Sequence, residues 1–469
     1  MGYGDVSCLN ESSKLNTVNI DRMAEEGIKF TDSHSSSALC TPTRYGILTG
    51  RYNWRSAMKS GVLNGYSPPL IEKGRLTVAS MLKEKGYKTA CVGKWHLGLD
   101  WGHKEGAAQT DNPADKVDFS KPVKNGPGAY GFDYFYGISA SLDMPPYVYI
   151  ENEAVTRLPD RETEDTSKMG WWRKGPTGAD FRHDEVLPRL TEKAKEFIGQ
   201  NSGSPFFLYF PLPAPHTPIL PSKEFTGKSK TNSYGDFVLM CDDAVGQILD
   251  KLEREGVADN TIIMFASDNG CSPFSDFEEL ASFGHNPNYV FRGHKTHIYE
   301  GGHRIPLVIR WPEKIKPGSV SGEYVCLCDL MATMAEITGY DLPDSAGEDS
   351  VSNLPVWDGR ERGAPLREAV VHSSGNGSFA IRKGKYKLEM CQGSGGGKQV
   401  HDENAPPIQL YDLDADISET TNIYDKYPEV VAELKALLTK YIIEGRSTPG
   451  TPQKNTGGER WEQIRWIDR

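Results

Sequence analysis

Short apolar runs alternate along this chain with stretches whose apolar residues recur every three or four positions. In residues 17–30, Ile20, Met23, Ala24 and Ile28 fall on one helical face and Gly27 stands near the end, so the spacing predicts a helix. Residues 76–85 predict a second, stopped by Gly86, with a strand at 89–92 directly after it. Further helices are predicted at 184–198 and 236–255, the latter closed by Gly256. Buried strands are predicted at 205–210, 261–266 and 304–311. This βα alternation predicts an α/β fold, a mostly parallel central sheet flanked by helices, with ligands at the carboxyl ends of the strands. Past residue 347 the pattern changes. Residues 379–390 and 409–413 read as antiparallel strands around a Gly/Ser gap from Gly393 to Lys398, and 427–441 as an amphipathic helix. The predicted division is a catalytic domain, 1–346, and a smaller α+β subdomain, 347–469. Two polar stretches, Asn112 to Gly128 and Glu151 to Gly178, read as loop insertions.

Composition narrows the function. The 469 residues carry 53 Lys plus Arg against 64 Asp plus Glu, a net charge of −11, which argues against a global affinity for nucleic acid. No apolar run approaches the ~18 residues of a membrane span. An anionic substrate therefore needs a local cationic pocket. The eight cysteines lack paired spacing and give no zinc ribbon or disulfide framework. No secretion signal is legible in Met1-Gly2-Tyr3-Gly4-Asp5.

Five constellations carry chemistry. Cys40-Thr41-Pro42-Thr43-Arg44 opens a short helix, with Thr41 read as the N-cap, Pro42 at the first position and Gly50 closing it. Free amides at that end favour an anion, and Arg44 lies one turn on from Cys40. Lys94 and His96 follow the 89–92 strand and share a face if the chain stays extended. His216 stands in a proline-rigid segment, Pro213-Ala214-Pro215-His216-Thr217-Pro218. Asp268 and Asn269 end the 261–266 strand, where they suit a hard cation or an Asx-turn. Lys295 lies in Arg292-Gly293-His294-Lys295-Thr296-His297, whose two histidines have no assigned role.

Taken in this order, these motifs resemble the formylglycine-dependent sulfatases of the alkaline phosphatase superfamily. The N-terminal half most resembles the arylsulfatase A and N-acetylgalactosamine-6-sulfatase branch. The resemblance implies that Cys40 is oxidised to formylglycine, whose hydrated form attacks the sulfur of a sulfate ester. The second hydroxyl then lets the sulfated residue collapse to aldehyde and release sulfate. It implies catalytic roles for Cys40, Arg44, Lys94, His96, His216 and Lys295, and a Ca²⁺ (or Mg²⁺) site at Asp268 and Asn269. Ser141, in Ser139-Ala140-Ser141-Leu142-Asp143, falls where relatives bind sulfate through serine. Implied partners are a sulfated sugar or glycan and a formylglycine-generating or anaerobic sulfatase-maturing enzyme. The expected location is periplasmic or secreted. Relatives carry two metal-binding aspartates just before Gly2-Tyr3-Gly4-Asp5. The chain is thus expected to start past its first strand, to bind metal poorly and to be weakly active. Two alternatives stand beside sulfate hydrolysis: a formylglycine-dependent phosphodiesterase or phosphonate hydrolase, and an inactive glycan-binding relative. Trp54, Trp101, His103, Tyr147, Tyr149, Trp171 and Trp172 fall in predicted loops, where they suit stacking on sugar rings.

Overall fold

A computed structural model of the chain describes residues 1–106, 113–397 and 404–468. Asn112 and Lys398, which bound two of the stretches read as loops, lie outside the described residues. The α/β class holds, with the central strands divided between two sheets. The first has the order Ala154–Val155, Ile150–Glu151, Tyr134–Ile138, Lys88–Lys94, Phe206–Tyr209. In it Lys88–Lys94 runs parallel to both of its neighbours. The second has the order Ile263–Ala266, Leu307–Arg310, Ile28–Phe30, Ser319–Ser321 and mixes directions.

Period-two alternation explains why helices cover both faces of the first sheet. Ala90 and Val92 pack with Tyr136 against Val186, Leu190 and Ala194 of the helix Val186–Asn201. Cys91, pointing the other way, packs with Phe135 against Tyr45 and Leu48 of the helix Cys40–Thr49. The edge strands of the two sheets feed the same clusters. Phe207 and Met264 share one, and Phe206, Leu208 and Ile263 another.

Several boundaries move. The helix predicted over 17–30 is Val18–Glu25, because Gly27 ends it and Ile28–Phe30 enters the second sheet. The stretch 151–178 is no irregular loop: Pro159–Asp165 and Trp172–Gly178 form an antiparallel ribbon. Its first strand, rich in Asp, Glu and Arg, is mostly exposed and lacks the alternation that announces a half-buried strand.

The C-terminal part is an antiparallel sheet of Val370–Ser373, Phe379–Lys383, Tyr386–Glu389 and Gln409–Asp412. The helix Pro428–Ile443 covers it through Val431, Leu434, Leu438 and Tyr441. The same cluster takes in Tyr52, Trp54, Cys326 and Cys328, so one core runs from the catalytic part into this sheet. All eight cysteines are free. Among the described residues no helix is long and apolar enough to cross a membrane.

Candidate active site

Each candidate residue stands where a strand or helix ends. Cys40 is the first residue of Cys40–Thr49, with Leu39 as N-cap. The helix therefore starts two residues earlier than the sequence suggests, and Thr41 lies inside it. Gly50 closes it in the left-handed region at φ 63°, where a Cβ would come within 2.9 Å of the Gly347 Cα. Lys94 is the last residue of Lys88–Lys94. His96 has φ 55°, so the chain turns sharply after Lys94 rather than staying extended. Asp268 and Asn269 follow Ile263–Ala266, and the backbone NH of Lys295 donates to the Cys271 carbonyl at 2.9 Å, fastening its loop to that of Asp268.

Charge shows how these groups converge. Burial raises the Cys40 thiol, but Lys94, His96 and Lys295 outweigh it and hold the thiol well below its usual range. Arg44, one turn along the helix, donates to the Lys94 carbonyl at 2.9 Å and to Asp268 Oδ2 at 2.8 Å. Burial raises the Asp268 carboxyl, yet Arg44, Lys94 and Lys295 pull it far below the carboxylate range. Burial lowers Lys94, partly offset by Cys40. Burial also drives His216 well below an ordinary imidazole, and Lys295 and Lys94 add to the effect. The acidic chain thus holds a buried cationic pocket of Arg44, Lys94 and Lys295 around Cys40.

Several buried polar atoms here have no hydrogen-bond partner among the described residues: Arg44 Nε, His96 Nδ1, the Ser139 and Ser141 hydroxyls, Asp143 Oδ1 and Asn269 Oδ1. Unsatisfied buried groups are costly, and in a cluster they mark a place built for a ligand. His96 Nε2 is taken by the Leu63 carbonyl at 2.8 Å, leaving Nδ1 free, and its backbone NH donates to the Ser139 carbonyl at 3.0 Å. Ser139 therefore stands against the site. Ser141, the residue singled out from the sequence, lines a small hollow walled by Ile138, Leu142, Tyr147 and Phe181.

For a hard cation, Asp268 and the orphaned Asn269 Oδ1 are donors of the right kind, but two side chains supply only part of the ~6 oxygens such an ion takes. Asp5 is no substitute. It is buried between the Gly2 NH at 2.7 Å, the Tyr234 hydroxyl at 2.6 Å and His285 Nε2 at 2.9 Å. His34, His303 and His372 also cluster, with ring nitrogens within 4.8 Å of one another. The His303 and His372 rings, however, stack at 3.9 Å and 11°. Imidazole lone pairs lie in the ring plane, so stacked rings do not aim at one ion.

Comparisons with known proteins give the family. A model of the sulfatase family matches residues 1–340. The chain belongs to the sulfatase family. A second model, the C-terminal part of N-sulphoglucosamine sulphohydrolase, matches residues 291–444. An N-acetylgalactosamine-6-O-sulfatase of Bacteroides thetaiotaomicron is 34% identical over 493 residues, covering 93% of this chain and 90% of the relative. Human N-acetylgalactosamine-6-sulfatase is 31% identical, covering 82% of this chain and 69% of the relative. A solved sulfatase from work on the metabolism of multiple glycosaminoglycans by Bacteroides thetaiotaomicron superposes with a TM-score of 0.80 at 33% identity, over 93% of this chain and 96% of that one. This sulfatase is accordingly a sulfuric ester hydrolase. Members of the family work with formylglycine and a metal ion.

Packing corrects one further reading of this sulfatase's sequence. Trp54, Trp101, Tyr147 and Tyr149 are core residues, at most 7% exposed, and cannot stack on a sugar. Trp172 stacks on His183 at 3.9 Å, while Trp171 lies between Arg173 and Phe274, the latter 53% exposed. The residue missed at the site is Asp143. Its one signal was an aspartate just past the carboxyl end of the apolar strand Tyr134–Ile138.

Proposed function

We propose that this sulfatase removes sulfate from a sulfated sugar of the galactose type, after Cys40 is converted to formylglycine by a maturation enzyme. The observation that carries this reading is the placing of Lys94, His96 and Lys295 around buried Cys40 at a helix N-terminus. Formylglycine supplies a hydrated aldehyde that can take up the sulfuryl group and afterwards release it. The residues around it do the rest. Lys94 and Lys295 neutralise the charge that grows on the sulfate oxygens, in a buried pocket where such contacts are worth most. Arg44 stays charged through Asp268 and keeps that carboxylate ionised in return. Its pairing with the Lys94 carbonyl joins helix to strand, so Cys40 and Lys94 hold a fixed separation. His216 presents Nε2 to the leaving oxygen, because Nδ1 is committed to the Thr217 carbonyl at 2.7 Å. A hard cation held partly by Asp268 and Asn269 would polarise a sulfate oxygen.

The galactose-type substrate is supported by the N-acetylgalactosamine-6-sulfatases of bacterium and human that the chain resembles. A sulfated polymer of that kind is met outside the cytoplasm, which supports a periplasmic or secreted location. A phosphonate monoester hydrolase of Agrobacterium radiobacter shares the fold at a TM-score of 0.60 and 18% identity, which lends its chemistry no weight here. The test is the protein co-expressed with a maturation enzyme, supplied with matched aryl sulfate and aryl phosphodiester, and with defined 6-, 4- and 2-sulfated sugars. Sulfate release with preference for a 6-sulfated galactose-type sugar is expected. Preference for the phosphodiester, or unmodified Cys40 in the peptide mass spectrum, would overturn the reading.

A further inference from the structure

One buried carboxylate at this site has no part in the chemistry above. Asp143 is 5% exposed. Its Oδ2 pairs with Arg173 Nη1, and its carbonyl accepts from the same nitrogen at 3.0 Å and from the Arg173 NH at 3.2 Å. The carboxylate is therefore clamped from one side. Its other oxygen, Oδ1, is buried with no hydrogen-bond partner among the described residues and lies 3.9 Å from His216 Nδ1. A desolvated carboxylate oxygen without a partner costs free energy unless a positive charge faces it. His216 is the ring placed to supply that charge.

The rest of the surroundings work against a protonated His216. Burial, Lys295 and Lys94 all favour the neutral ring, while the Thr217 carbonyl and Asp268 oppose them. The Thr217 carbonyl holds Nδ1–H, and among the described residues Nε2 has no partner. A proton for the leaving group thus has to sit on Nε2, which makes the ring an imidazolium in a pocket with two lysines. Asp143 Oδ1, 3.9 Å from Nδ1, is a counter-charge within reach of that ring.

We propose that Asp143 is a positioning residue for His216, stabilising and orienting the imidazolium that donates the Nε2 proton to the departing oxygen. The proposal rests on the sulfatase reading of the site. As the ester S–O bond breaks, its electron pair stays on oxygen, which takes that proton and leaves as a neutral alcohol. The sulfuryl group passes to a hydroxyl oxygen of the nucleophile at position 40, whose proton goes to solvent, and His216 is left neutral until solvent reprotonates it. Arg173 ties this pair to the ribbon Pro159–Asp165/Trp172–Gly178, and Trp171, just before its second strand, lies under the guanidinium at 4.7 Å. A poor leaving group such as a sugar alkoxide needs the proton. A nitrophenolate does not.

This contrast gives the test. Asp143→Asn, matured like the wild type, is assayed on aryl sulfates of graded leaving-group acidity and on a sulfated sugar. The expected result is a drop of about 30-fold in kcat/KM on the sugar and the poorest phenols, below the ~10²–10⁴ that a whole acid supplies. The most acidic nitrophenol should stay within about 3-fold, so the leaving-group slope steepens. Asp143→Glu should recover part of the loss. Arg173→Gln, altering a half-exposed side chain, should steepen the slope in the same direction if Asp143→Asn folds poorly. An unchanged slope, or an equal loss on every substrate, would overturn the role of Asp143. A wild-type enzyme that cleaves no sulfate ester is a different result and would overturn the function itself.

Discussion

At Cys40 burial and charge pull in opposite directions, and the neighbouring Lys94, His96 and Lys295 win. Removing one of them should cost catalysis more than folding. Lys94→Ala is expected to lower kcat/KM about 10³-fold, the scale of losing one preorganised charge donor, with little change in thermal midpoint. Steady-state assay beside thermal unfolding checks this. Cys40→Ser should take up a sulfuryl group without releasing it, since a plain ester has no second hydroxyl to expel sulfate. Intact-mass measurement after incubation with substrate would show the adduct. His183 gives a pH effect. Burial lowers its imidazole to about 4, against about 6.5 unfolded. Between these values the unfolded chain binds a proton that the folded chain refuses, so stability falls as pH drops from 6.5 to 4, by ~3 kcal/mol at the limit. Replacing His183 by Phe should flatten that acid limb in denaturant titrations. At this scale the sequence showed chemistry but not contacts. Cys40, Lys94 and His216 stand out by motif. Ser139 and Asp143 do not, because their importance arises from His96 and His216, far away in the chain.

Among the elements, the strand Lys88–Lys94 sets the geometry of the site. Gly93 has φ 140°, and a Cβ there would lie 2.2 Å from the Pro211 carbonyl oxygen. Gly93→Ala forces both backbone strain and a clash, so a loss of at least ~1–3 kcal/mol is expected together with displacement of Lys94. A lowered thermal midpoint accompanied by a larger fractional loss of activity would confirm it. The predicted helices and buried strands were legible because apolar spacing encodes them. The charged ribbon at 159–178 was not, since its pairing rests on backbone bonds and a partner strand rather than on an apolar face. The buried aromatics were misread for the same kind of reason. Trp54 sits between Asn53 and Arg55 and Trp101 between Asp100 and Gly102, and only tertiary packing covers them.

Across the whole molecule, buried ions bind the catalytic part to the C-terminal sheet. Lys387, on Tyr386–Glu389, reaches Glu419 at 2.6 Å, Glu300 at 3.1 Å and Glu389 at 3.3 Å, all fully buried. Burial would lower the lysine, but these carboxylates hold it charged, and burial pushes Glu389 well above the usual range. Asp32 likewise takes Arg382 from the C-terminal sheet and Arg304 from the catalytic part. Lys387→Met should destabilise by ~3–5 kcal/mol, because it strands buried carboxylates. Calorimetry of the intact protein should show one transition rather than two, given the shared core. This hub was invisible in the sequence, where Asp32, Glu300 and Arg304 lie in segments well apart from those of Arg382, Lys387 and Glu419.

The hub also limits how such a protein can be recombined. A chimera joined near residue 347, with the C-terminal portion of one relative grafted onto the catalytic portion of another, would bring together halves that each carry only part of a charge balance. Asp32, Glu300 and Arg304 come from one parent, and Arg382, Lys387, Glu389 and Glu419 from the other. Such grafts inherit a working interior only when both sets travel together.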